Sequence, residues 1–110
     1  MALYLYQANY TAASVKAMVA SPQDREAAAR PLLEAVGAKL MHLYFSFGSH
    51  DIVALIEAPD DAAMMAGTMA IGASGSLTGG MTTKLMTAGE AMTAMATAAR
   101  VTGAFRPANA

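Results

Sequence analysis

The sequence predicts an α+β domain: one four-stranded antiparallel sheet with helices on one face. Three observations lead there. Segments of strand and helix character follow the order strand, helix, strand, strand, helix, strand, with one more helix at the end. The chain is 110 residues long, the length of one domain, and with no cysteine it must rely on its core. The stretch FSFGSHDIVALIEAP, Phe45 to Pro59, puts Gly-Ser between two apolar runs and so marks a hairpin.

The first element, Ala2 to Tyr10 (ALYLYQANY), is rich in aromatics and reads as a strand. Thr11 suits an N-cap for a helix over Ala12 to Ala20. Ser21-Pro22 restarts the helix, with Ser21 as cap, Pro22 in the first helical position and Asp24 near the positive end. That helix runs to about Val36 and stops at Gly37, and Pro31 inside it predicts a bend near Ala27 to Arg30. Ala38 to Phe47 is the second strand, Gly48-Ser49 a two-residue hairpin turn, and His50 to Ala58 the third strand. A helix follows from Asp60 to about Gly72, its acids in the first turn. The glycines of GASGSLTGG, Gly72 to Gly80, predict a mobile loop, and Met81 to Met86 a fourth strand. Thr87 to Ala99 is the extra helix, with Met92, Met95 and Ala99 at helical spacing. Residues 1–103 form the domain, and 104–110 a loose tail. The order of the first six elements is the split βαβ, or ferredoxin-like, arrangement.

A two-residue turn pairs Phe47 with His50, Phe45 with Ile52, Leu43 with Ala54 and Met41 with Ile56. These residues form an apolar face, predicted to lie under the helices. The other face then carries Leu40, His42, Tyr44 and Ser46 with Asp51, Val53, Leu55 and Glu57. A slip of one residue would exchange the two faces.

YLYQANYT, SPQDREAAARPLLEAVGAKL, FSFGSHDIVALIEAPD and TTKLMTAGEAMTAM together resemble the GYD-domain proteins, over about Ala2 to Arg100. The namesake motif, Gly, any residue, Tyr, Asp, stands here as Gly48-Ser49-His50-Asp51, with histidine in the tyrosine position. The resemblance implies a ferredoxin-like domain of the dimeric α+β barrel type, in which two sheets pack through their open faces. It implies fold more than activity, since the family has no generally established biochemical activity.

Composition narrows the function. Net charge is −1 with the charges scattered, which argues against a nucleic-acid partner. Charged residues make up 14% of the chain and apolar residues 55%, against roughly 25% charged in a typical soluble domain. Surface this apolar is expected to be buried against a partner, most simply a second copy. No run approaches the roughly 20 apolar residues of a membrane span. With no secretory signal visible and no cysteine, a cytoplasmic protein is expected.

Between two packed sheets, His42, Tyr44, Asp51 and Glu57 would line an apolar cavity of the kind that binds small molecules. Burial there would raise the carboxylate pKa values and suit Asp51 or Glu57 to proton transfer. The competing reading is that these groups only hydrogen-bond the sheets together. His50 and Asp51 are neighbours on a strand and point to opposite faces, which argues against a direct dyad. Two histidines and scattered acids have no metal-ligand spacing, and no cofactor is expected. Arg25 and Arg30, about 140° apart on a helix, could guide an anion or simply pair with nearby acids in water. The ten methionines read as adaptable core filling. Three functions remain: a binding module for a small apolar molecule, a cofactor-independent isomerase or monooxygenase, and a structural assembly unit.

Overall fold

The protein is described from a computed structural model, which covers residues 1–109. The elements are β1 (Ala2–Tyr10), α1 (Ala12–Ala20), α2 (Arg25–Ala35), β2 (Lys39–Phe45), β3 (Ile52–Ala58), α3 (Asp61–Ala73), β4 (Leu77–Leu85) and α4 (Ala88–Val101). The four strands form one antiparallel sheet in the order β2-β3-β1-β4. This is the predicted ferredoxin-like arrangement with an extra C-terminal helix.

Local chemistry sets the boundaries. Thr11 caps α1 by accepting from the Ser14 amide. Ser21 ends α1 instead of starting α2, because its amide donates to the Ala17 carbonyl. Asp24 is therefore the cap of α2, accepting from the Ala27 amide at 3.1 Å, and Pro22 lies outside the helix. Gly37, at φ +77°, stops α2 as expected. There the Gly37 amide donates to Glu34 and the Ala38 amide to Leu33, a Schellman closure. Asp60 caps α3, and Thr87 with Glu90 forms a reciprocal capping box on α4.

The core lies between the sheet and helices α2 and α3. Alternate residues of the central strands, Tyr4, Tyr6, Ala8 and Tyr10 with Ile52, Ala54, Ile56 and Ala58, are buried against Leu33 and Met64. The period of two is what a sheet with one covered face requires.

The structure corrects the expected register at one point. Phe45–Ile52 and Leu43–Ala54 pair as expected, but a bulge at Met41 shifts the rest. Leu40, not Met41, lies opposite Ile56 and is buried to 2% exposure under the helices. The connection is also longer than two residues: β2 ends at Phe45, and the Ser46 amide reaches the Asp51 carbonyl across Phe47–His50. Of the glycines expected to form a mobile loop, Gly72 lies in the last turn of α3 and Gly75 in the turn that follows, while Gly79 and Gly80 lie in β4. Gly79 takes φ +64° where the β1–β4 register shifts, and a Cβ on Gly80 would stand 2.9 Å from the Tyr6 hydroxyl. A left-handed glycine at a bulge and a flat neighbour under a tyrosine ring explain both.

Phe45 is on the helix side but not in the core. It is 61% exposed and stacks on Tyr10 with centroids 5.6 Å apart. Phe45→Ala should therefore cost about 1 kcal/mol, the scale of one aromatic pair, in a denaturant titration. A loss of about 3–5 kcal/mol would mean a fully buried ring.

The chain is far from spherical, at 61 × 32 × 22 Å, with a radius of gyration of 18.1 Å. A compact domain of this size has about 13 Å. The difference arises at α4, which has no buried residue and leaves Met92 and Met95 exposed. Among the described residues no helix is long and apolar enough to cross a membrane.

Candidate functional site

The register places Leu3, Leu5 and Gln7 of β1 on the face away from the helices. Val53, Leu55 and Glu57 of β3 and Met81, Thr83 and Leu85 of β4 share that face. His42 and Tyr44 of β2 join them opposite Leu55 and Val53. Among the described residues no helix covers this surface, and its middle is apolar. Leu5 and Leu55 stand directly opposite each other at its centre.

Of the four residues singled out in the sequence, two come together. The His42 and Tyr44 rings stack at 5.8 Å on the outer strand. Glu57 is on the same face, flanked by Leu3 and Lys39. Asp51 stands apart from all three. It lies just before β3, and its carboxylate accepts the Tyr10 amide at 2.9 Å. Its own amide donates to the Ala8 carbonyl and the Asn9 side chain. Asp51 thus closes the end of the β1–β3 ladder, beside Phe45, Val15 and Met18 on the helix side. Asp51 therefore does not take its expected position on the open face. The chain leaves strand geometry at Asp51, so strand alternation no longer directs its side chain. His50 is half-buried in the same connection.

A second polar cluster joins three elements that the sequence did not connect. The Tyr4 hydroxyl of β1 donates to Asp61 in the first turn of α3, and Lys84 of β4 donates to the same carboxylate oxygen at 2.9 Å. The hydrogen bond from Tyr4, then that from Lys84, holds the Asp61 carboxyl below its usual value. The bond to Asp61, then burial, pushes the Tyr4 phenol up to about 12. The two shifts act at opposite ends of the pH scale. Asp61 stabilises the fold above its unfolded pKa near 4, and that contribution is lost as pH falls through the lower folded value. Tyr4 contributes below its unfolded pKa near 10, and that is lost as pH rises towards 12. Unfolding midpoints measured against pH should fall less steeply in Tyr4→Phe than in the wild type on both the acid and the alkaline limbs.

Under the helices lies a cavity of about 220 Å³, bounded by the sheet, α2 and α3. Tyr6 and Tyr10 line it from β1, and burial raises the pKa of the Tyr6 phenol. No sequence pattern announces this space, because it depends on how far apart two helices sit. Among the described residues, no group of three or more histidines and acids could hold a metal ion.

The sheet order and the uncovered face define a ferredoxin-like α+β domain. The chain belongs to the GYD-domain family, whose profile matches residues 4–105. No curated protein matches it significantly. Two solved structures share the fold. The crystal structure of MtbAldR is 15% identical with a TM-score of 0.54, over 78% of this chain and 52% of that one. The crystal structure of FFRP-DM1 is 12% identical with a TM-score of 0.50, over 78% of this chain and all of that one. The matched region thus spans about half of MtbAldR, and at these identities the likeness is one of fold.

Proposed function

We propose that the protein is a homo-oligomeric binding module. Two copies pair through their open sheet faces as an α+β barrel, and a small, largely apolar molecule binds between the sheets. The observation that carries this reading is the uncovered face itself, where Leu3, Leu5, Val53, Leu55 and Leu85 lie together. A contiguous apolar surface of this kind marks an interaction site. His42, Tyr44 and Glu57 supply hydrogen-bonding groups around the apolar centre, and Asp51 fixes the strand end that shapes one end of the barrel. The projecting α4 fits the same assembly. An isolated helix of about 12–15 residues is marginal in water, so α4 gains its stability by packing on a neighbouring copy. The proposed setting is the reducing cytosol, to which a chain without cysteine is suited.

Binding without catalysis is the favoured form. His42 and Glu57 stand on different strands, His42 opposite Leu55 and Glu57 opposite Lys39, not opposite each other. A crystal structure of the assembled protein tests this reading. An open cavity between the sheets with His42 and Tyr44 at its wall is expected. Sheets whose side chains interdigitate completely would leave only a structural assembly.

A further inference from the structure

We propose that the cavity beneath α2 and α3 is a second small-molecule site, shaped for a small apolar monocarboxylate that Arg25 anchors. It lies on the opposite side of the sheet from the pairing face and does not rest on the reading given above.

The cavity is a wedge. The topology makes α2 and α3 antiparallel, and they approach at Gly67, where an added Cβ would stand 3.5 Å from Leu33 and 3.7 Å from Val36. Arg25, Ala28 and Ala29 near the start of α2 and Ala70, Ile71 and Ser74 at the end of α3 line the space beyond that approach. Small residues at facing positions, Ala28 and Ala29 on α2, Ala54 on β3 and Ala70 on α3, keep the space open. Its volume of about 220 Å³ is below the roughly 300–1,000 Å³ of drug-sized pockets, which selects a short chain or a single ring.

The polar groups gather at one end. Tyr10, Arg25 and Ser76 line both this cavity and a smaller one of about 110 Å³ that continues beside Ser14 and Gln23. Among the described residues no carboxylate lines either space, and the one charged side chain there is Arg25. Arg25 is half-buried, and among the described residues its guanidinium bonds only the Gln23 side-chain oxygen, at 2.9 Å. Arg30, five residues on, is different, since it is paired with Glu26 at 2.9 Å. Of the two acids adjacent in sequence, Asp24 is occupied in capping α2 and Glu26 in pairing with Arg30. A guanidinium without an acid partner, at the end of an apolar slot, is complementary to a carboxylate with an apolar tail. Tyr10, whose hydroxyl has no hydrogen-bond partner among the described residues, supplies a further donor.

Titrating the protein with hexanoate, followed by methyl NMR, tests this. Saturable shifts are expected at Leu32, Leu43 and Ile71, which line the wedge. Hexan-1-ol should bind about 10-fold more weakly, because the charge-assisted bond is lost. Arg25→Gln should weaken hexanoate by about the same factor and leave hexan-1-ol unchanged. Ala29→Leu, which fills the wedge, should abolish binding of both. Should that variant fail to fold, the Arg25→Gln comparison alone decides. Equal binding of acid and alcohol to the wild type, shifts confined to Leu5, Val53 and Leu55, or no shifts at millimolar hexanoate would each overturn the proposal.

Discussion

Ile56→Ala lowers the free energy of unfolding by about 2–5 kcal/mol, the largest stability effect expected of any single truncation here. Ile56 is 2% exposed and is the largest fully buried side chain. It pairs with Tyr4 on one side and Leu40 on the other, so three adjacent strands meet around it. Two of those neighbours are themselves buried, Tyr4 under α3 and Leu40 where the bulge turned it inwards. Strands locked by their own ladders cannot close over the lost methyl groups, so the cavity term adds to the transfer term. A small domain has only about 5–15 kcal/mol in total, so the loss is a large part of its stability. Denaturant titration of Ile56→Ala beside Phe45→Ala separates a buried position from an exposed one on neighbouring strands. Equal losses would mean that the assignment of the core face is wrong.

Leu55→Glu is expected to convert the proposed oligomer into a folded monomer. Leu55 lies between Leu5 and His42 in the register, at the middle of the surface that pairing would bury. In the single chain it is only half-buried, so glutamate there meets water and the fold survives. In the assembly the same carboxylate would lose its water against apolar residues of the partner, without a cation in place to compensate. An uncompensated buried charge costs about 3–5 kcal/mol, a weakening of roughly two to three and a half decades in Kd. Far-UV circular dichroism should be unchanged while the sedimentation coefficient falls. An unaltered oligomer would move the interface away from this face.

The parts of this fold that follow local rules were legible in the sequence. The aromatic-rich run Ala2 to Tyr10 marked a strand, and Thr11 and Gly37 marked helix ends. The pairing of Phe45 with Ile52 followed from the turn because residues close in sequence set it. The bulge at Met41 did not follow. One extra residue leaves the local pattern almost unchanged, yet it sends Leu40 inwards. Gly79 and Gly80 looked like loop residues because a glycine needed for a bulge is indistinguishable from one needed for flexibility. Asp51 escaped for a related reason, since alternation fails where the strand ends. The pairing of Tyr4 with Asp61 and Lys84 joins residues far apart in sequence, and so does the wedge beneath the helices. Neither has a signal at any fixed spacing.

The central claim is that the open sheet face is a pairing surface, and the molar mass of the wild-type protein in solution tests it most directly. Light scattering across the micromolar range should give a dimer or a larger closed assembly, with a mass independent of dilution. A stable monomer of 11.3 kDa at these concentrations would contradict the account, leaving the face of Leu5 and Leu55 exposed to water.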